Sequence, residues 1–457
     1  MSYCALAMEQ ATIPRPAAAG AAPGLPSGPK GPGIVQGVRY ARDPHGFLDR
    51  LRRRYGDVFT ISFPIVGQIV YVADPALVKE VFTGSPEQMH AGEANATVLE
   101  PALGPNSVLT LDEAPHMRQR KLLLPPFHGE QIRRYGELIR DVTVREMESW
   151  PVGEPFALRP HTQRITLAVI LRAVFGVEDE ARFERALRLT DVFTKRVNLV
   201  THLPFLQHDL GPWSPWGRFL RAREDLDAFI YEEIALRRSE RADDRDGAGD
   251  VLSLLLGARD EDGNPMGDEE LRDELVTVVA AGHETTATAL AWSMERLLRN
   301  PPVLERLRES IAAGEDEYLE ATIKETLRAR PVIVDVARKL TRPLRIGGHE
   351  LPAGTFLFPA VAALHYRDDV FPDPHRFRPE RFLEGKPDNY AWIPFGGGVR
   401  RCIGASFAEY EAKVILRAFL ERAELSAPDP QPERAKIRNI TVVPAKGCRV
   451  SLDRPLR

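Results

Sequence analysis

Apolar and polar positions divide the chain into stretches of different texture. In "DPHGFLDRLRRRYGD" apolar residues recur at helical spacing among basic ones, which predicts a short amphipathic helix. "DVFTISF" and "QIVYVA" follow as two strand-like runs separated by a turn containing Pro and Gly. From about residue 75 to residue 330 the spacing is mostly helical, as in "RFERALRLTDVFTKRV" and "RFLRAREDLDAFIYEEIALRRSE". The longest periodic run extends from Asp268 to Asn300. Asp268, Glu269 and Glu270 suit the positive end of its dipole, and Pro301-Pro302 ends it. A helix of that length is about 50 Å long, enough to cross the whole molecule. Beyond Pro331 the chain turns to short extended pieces, with turn signals at Gly347-Gly348 and Pro352-Ala353-Gly354. The pattern predicts a mainly α fold with a small β region, as one domain over residues 34–457.

Composition narrows the function classes. The 457 residues are 43% hydrophobic and 28% charged, the balance of a soluble globular enzyme. A net charge of −4 gives no general pull toward nucleic acid or an anionic membrane. Residues 1–33, rich in Ala, Pro and Gly, read as a flexible leader, with neither an apolar run of spanning length nor a signal-peptide pattern. The three cysteines, Cys4, Cys402 and Cys448, are too few and too irregular for a disulfide scaffold. A reducing, cytoplasmic setting without a transmembrane anchor is expected.

One cysteine has an unusual setting, "PFGGGVRRCIGA". Phe395, Gly398, Arg400, Cys402 and Gly404 stand in the order F-x-x-G-x-R-x-C-x-G. Glycines let backbone approach a flat, bulky group. The apolar periodic stretch "ASFAEYEAKVILRAFL" begins just after, so Cys402 is expected near a helix N-terminus, where a thiolate is favoured. Arg400 is placed to meet an anionic group on the same ligand. A buried structural thiol in a Gly-rich turn is the plainer reading of any one cysteine, but five positions at fixed offsets favour a thiolate ligand to haem iron.

At these residues the sequence resembles the haem-thiolate monooxygenases of the cytochrome P-450 superfamily, and three further motifs stand in that family's order. "AAGHETTA" in the long helix supplies Ala281, Gly282, Glu284 and Thr285, with His283 at the variable position and read as structural. Gly282 and Thr285 are expected to open a groove over the cofactor. "ETLR" supplies Glu325 and Arg328, and "FRPERF" supplies Arg381. In "DEAPHMRQRKLLLPPF", His116 and Arg120 share a helix face at a spacing of four, and Arg338 lies in "VARKL".

The resemblance implies a triangular prism of helices around a buried haem b, with Cys402 as the metal ligand. It gives Glu284 and Thr285 proton delivery and His116, Arg120 and Arg338 the haem propionates. A buried network of Glu325, Arg328 and Arg381 is assigned to folding and haem retention. The implied reaction inserts one atom of O2 into a lipophilic molecule such as a fatty acid, steroid or terpenoid. Residues 88–108 and 197–216, Ala280, Ala281, residues 331–336 and residues 439–443 are expected to line the pocket. No flavin or iron–sulfur domain is evident, so electrons are expected from a ferredoxin or flavodoxin-type donor with its reductase. Arg118, Lys121, Arg133, Arg134 and Arg401 are candidates for its docking patch. A monomer that binds no nucleic acid is expected. A peroxygenase, a haem-thiolate isomerase or dehydratase, and a non-enzymatic haem sensor or lipid carrier remain alternatives; the Glu284-Thr285 pair speaks against the first and the last.

Overall fold

In the computed structural model, residues 24–456 are described apart from residues 65, 128, 178, 201–206, 209 and 244–248. The long periodic run is a helix over Asp268–Leu298, here the central helix. Its first turn is acidic, and the Glu270 carboxylate accepts from Gly267 N at 2.7 Å, which satisfies a donor left free at the helix start. It stops two residues before Pro301, which opens the next helix, Pro301–Ala312. The apolar helix Leu158–Phe175, the crossing helix, packs along it and is buried over most of its length. The Trp292 indole is wholly buried, and its Nε1–H donates to Val442 O at 2.8 Å, which ties the central helix to the C-terminal hairpin.

The two early runs form an antiparallel pair, Val58–Phe63 with Gly67–Val72. They belong to a five-stranded sheet in the spatial order Val58–Phe63, Gly67–Val72, Phe356–Pro359, Lys339–Leu340 and Met89–His90. Gly67–Val72 and Phe356–Pro359 run parallel, so the N- and C-terminal parts of the chain share one sheet. Helices Gly33–Arg42 and Pro44–Tyr55 lie beside it.

Residues 1–23 of the expected leader lie outside the described residues. Its last part is packed rather than loose: Thr60 donates from its hydroxyl to Pro26 O at 2.7 Å and from its N–H to Ser27 O at 3.2 Å. A Cβ on Gly28 would stand 1.8 Å from Thr60 O, so only glycine permits this approach. The folded body therefore reaches back before the expected boundary at residue 33. Among the described residues no helix is long and apolar enough to cross a membrane.

Candidate active site

The cysteine loop is built by backbone geometry. Gly396 and Gly398 have φ of 67° and 62°, and Cys402 N donates to Phe395 O at 2.9 Å, which closes the turn. A Cβ on Gly398 would stand 2.0 Å from Phe82 O, and one on Gly397 would stand 2.4 Å from the Phe82 ring. The glycines therefore seat the loop on helix Pro75–Thr83. Gly404 is the N-cap of helix Ala405–Arg422, so Cys402 lies just before a helix N-terminus, as expected. Its exposed surface faces an interior cavity of about 2390 Å³. Burial pushes the thiol up, while the Gly404 N–H, Arg401 and Arg120 pull it back toward the thiolate.

Cations gather on the same cavity. His116, Arg120, Arg338 and Arg400 all line it. Arg338 is 6% exposed, and among the described residues its side chain donates only to Ala337 O, at 2.8 Å. Burial, then the nearby Arg400, brings it down to about 10. Arg400 falls to about 10 by burial as well, although it pairs with Asp112 and donates to the Val108 and Leu111 carbonyls. Arg120 forms no ion pair among the described residues and is lowered by burial. His116, 3% exposed, is pushed down to about 3 by burial and by Arg400 and Arg120, so it stays neutral near pH 7. Of the three arginines at this end of the cavity, Arg400 alone forms an ion pair among the described residues, with Asp112, which leaves an excess of positive charge.

That excess tests the implied cofactor. A group bearing two carboxylates offsets buried guanidinium charge, and a soft thiolate suits iron in a macrocycle. Among the described residues no cluster of three or more His, Cys, Asp or Glu side chains is placed to hold a metal ion. A metal at Cys402 must therefore bring most of its own ligands. The residues fit haem b.

Across the cavity, Ala281, Gly282 and Thr285 of the central helix form part of the wall. Thr285 Oγ1 donates to Ala281 O at 2.7 Å, one turn back along the helix. Gly282 also meets the crossing helix, where a Cβ would stand 3.1 Å from the Ile170 side chain, a tight contact that the side chain would have to ease. Glu284 does not share the wall with Thr285. Its carboxylate is paired with Arg159 and accepts from Gln163 Nε2 at 2.7 Å, on the side of the crossing helix. His283 is structural, its Nδ1 2.8 Å from Val279 O.

Sequence reasoning missed the crossing helix as a participant. Thr162 and Thr166 donate to Ala287 O and His283 O, each at 2.9 Å. With Arg159 and Gln163 they form one polar stripe at i, i+3, i+4 and i+7. Four polar residues at that spacing on one face of the helix were the available signal. Asp112 was missed too; it also accepts from the N–H groups of Ala91, Gly92 and Glu93.

The structural trio comes together as expected. Arg328 donates twice to Glu325, at 2.7 and 2.9 Å, and both side chains have no exposed surface. Arg381 Nε lies 3.1 Å from Glu325 Oε2, and Arg378 N donates to Oε1 at 2.8 Å.

Most of the expected pocket segments line the cavity: Ala91 to Leu99 in part, Val108, Ala281, residues 332–336, Asn439, Ile440 and Val442. Ala280 does not; it borders a separate small void with Phe175 and Val276. Residues 201–206 and 209 of the segment 197–216 lie outside the described residues, and none of its described residues lines the cavity. In the expected docking patch Arg133 and Arg134 are exposed and Arg401 lines the cavity. Arg118 is committed elsewhere, bridging Asp260 at 2.7 Å and Glu270 at 2.6 Å, and Lys121 pairs with Glu261 at 2.7 Å.

The chain is similar to known proteins over nearly its whole length. The family model for Cytochrome P-450 matches residues 25–452. A Mycobacterium tuberculosis protein provisionally named cytochrome P-450 135B1 is 41% identical over 446 residues, 93% of this chain and 91% of that protein. Another from the same organism, provisionally named cytochrome P-450 138, is 40% identical over 435 residues, 94% of this chain and 96% of that one. Among solved structures, retinoic acid bound cyanobacterial CYP120A1 superposes with a TM-score of 0.80 at 24% identity, over 94% of this chain and 100% of that one. The haem domain of cytochrome P-450DA gives 0.81 at 24% identity, over 95% and 98%. These two establish the fold. With the family match and the mycobacterial relatives, they close the question the cysteine loop opened: the chain belongs to the cytochrome P-450 family, whose members bind haem b.

Proposed function

We propose that the protein is a monooxygenase that inserts one atom of O2 into a lipophilic small molecule, with electrons from a separate ferredoxin or flavodoxin-type partner. The observation that carries this reading is that one cavity is bounded by Cys402 and its cations on one side and by Thr285 on the other. When bound, haem supplies the activation of dioxygen that no side chain can provide.

The chain's own residues have separable tasks. Cys402 is the thiolate ligand, in a loop whose glycines leave it one seat. Arg120, Arg338, Arg400 and neutral His116 orient and neutralise the propionates. Thr285 holds a hydroxyl at the cavity wall, where it passes a proton inward. Glu284 reaches that hydroxyl only when its pairing with Arg159 opens, so Arg159 and Gln163 meter the supply. The apolar stretches of the wall exclude water and favour a lipophilic substrate.

Two measurements test the reading. The reduced carbon monoxide complex should show the thiolate-type spectrum, and Cys402→Ala should abolish it; an unchanged spectrum in the variant refutes the assignment. Titration of the ferric holoprotein with fatty acids, steroids and terpenoids should give a low- to high-spin shift with one class. Product formation without any reductant would favour an isomerase or dehydratase instead.

A further inference from the structure

One acid interrupts the apolar stretch of the cavity wall. Residues 332–338 follow the helix Glu317–Ala329 and line the cavity throughout. Most are apolar, but Asp335 stands between Val334 and Val336. Two tyrosines hold it. Tyr40 Oη donates to Asp335 Oδ2 at 2.8 Å, and Tyr71 Oη donates to the same oxygen at 3.1 Å. Tyr71 is 1% exposed and comes from the sheet, while Tyr40 comes from helix Gly33–Arg42 and lines the cavity itself.

The other oxygen is the informative one. No group among the described residues donates to Oδ1, and it is not sealed into the core. It therefore opens on the cavity. No cation pairs with this carboxylate among the described residues, and the apolar side chains of Ile69, Phe356 and Phe358 line the same cavity. A carboxyl serving the fold alone gains most when both oxygens are satisfied, because a buried acceptor left unmade is destabilising. Burial, with no cation beside it among the described residues, pushes Asp335 up against the two phenol O–H bonds on Oδ2. Oδ1, which has no donor of its own there, is the oxygen left to accept a hydrogen bond.

We propose that Asp335, fixed by Tyr40 and Tyr71, is a specificity-determining residue whose Oδ1 accepts a hydrogen bond from a hydroxyl group on an otherwise apolar substrate. The inference rests on the monooxygenase reading and narrows it, since a lipophilic alcohol, which brings a proton to donate, is selected over a lipophilic carboxylate, which has none. Of the substrate types expected from the sequence, hydroxylated steroids and terpenoids fit and free fatty acids do not.

The test uses the wild-type holoprotein and three probes of equal chain length: 1-dodecanol, its methyl ether and dodecanoate. Binding is followed by the haem absorbance and, independently, by calorimetry. 1-Dodecanol should bind at least about tenfold more tightly than either of the others, the scale of one hydrogen bond to a charged group. In Asp335→Asn the carboxamide still accepts from the tyrosines but can turn an N–H toward the cavity, so the alcohol's advantage over dodecanoate should shrink about tenfold. Equal affinities for the three probes, tighter dodecanoate, or no binding by any of them overturns the proposal, as do unchanged ratios in the variant. If the variant does not fold, the wild-type ratios decide. A thiolate-type carbon monoxide spectrum in the same preparation shows that a negative result sinks only the selectivity; its absence sinks the monooxygenase reading instead.

Discussion

Thr285 meets two demands with one hydroxyl. It satisfies the Ala281 carbonyl one turn back, and it stands on the cavity wall. Only the second would serve proton delivery, and Thr285→Ala, which removes the hydroxyl, tests it through coupling rather than through folding. The variant should bind haem and substrate as before but divert electrons to peroxide, so product formed per electron pair falls while reductant consumption continues. Intact coupling would remove Thr285 from proton delivery. Gly398 presents a purely steric case. With φ of 62° and a virtual Cβ 2.0 Å from a main-chain oxygen, neither the backbone nor its neighbour can yield cheaply. Gly398→Ala should therefore yield protein with little bound haem, read as a low Soret-to-protein absorbance ratio. The loop residues were legible because their chemistry is local: cysteine, glycines and arginine sit at fixed offsets. Asp335 was not. Its neighbours in sequence are apolar, and its two tyrosines lie 295 and 264 positions away.

Among elements, the central helix could be read almost to its ends, since periodicity, acidic start and proline stop all agree. What holds its middle could not. The hydroxyls of Thr162 and Thr166 acquire meaning only when the crossing helix lies against carbonyls 283 and 287. The same holds for the Ile170 side chain, whose close approach to Gly282 nothing in the sequence around the glycine announces. The helix Glu317–Ala329 gives the sharpest energetic test. Glu325, with no exposed surface, accepts from Arg328 and the Arg378 N–H and forms an ion pair with Arg381, so it joins this helix to residues 376–381. Glu325→Gln leaves two buried guanidinium groups without a counter-charge, a loss of about 3–5 kcal/mol. Its thermal midpoint should fall, and haem should be released on heating before the helices melt. A wild-type melting curve would show that the network contributes nothing.

On the scale of the molecule, acid sensitivity follows from two buried histidines far along the chain from the cysteine. His45 and His365 are each pushed down to about 3, first by burial and then by the arginines Arg330 and Arg328 respectively. His365 Nε2 accepts from Ile393 N at 3.0 Å, a bond that a protonated ring cannot make. Both rings are neutral when folded and titrate near 6.5 when unfolded, so below that value the unfolded chain binds more protons. Stability is therefore full above about pH 6.5 and declines as pH falls, by about 1.4 kcal/mol per pH unit for each histidine. Urea midpoints between pH 7 and pH 5 should show this slope, and His365→Gln should lessen it. A flat profile would refute the assignment.

The cavity of about 2390 Å³ also bears on how much of this protein a cell can keep. Its walls come from both ends of the chain, so the site has no counterpart on an unfolded chain. Binding of that kind adds about 4 kcal/mol once free ligand exceeds its dissociation constant a thousandfold, a large share of the stability of an ordinary domain. A chain that has not met its haem lacks this stabilisation and should be cleaved faster by a protease than the loaded protein, so scarce haem should lower the number of molecules before it leaves idle ones.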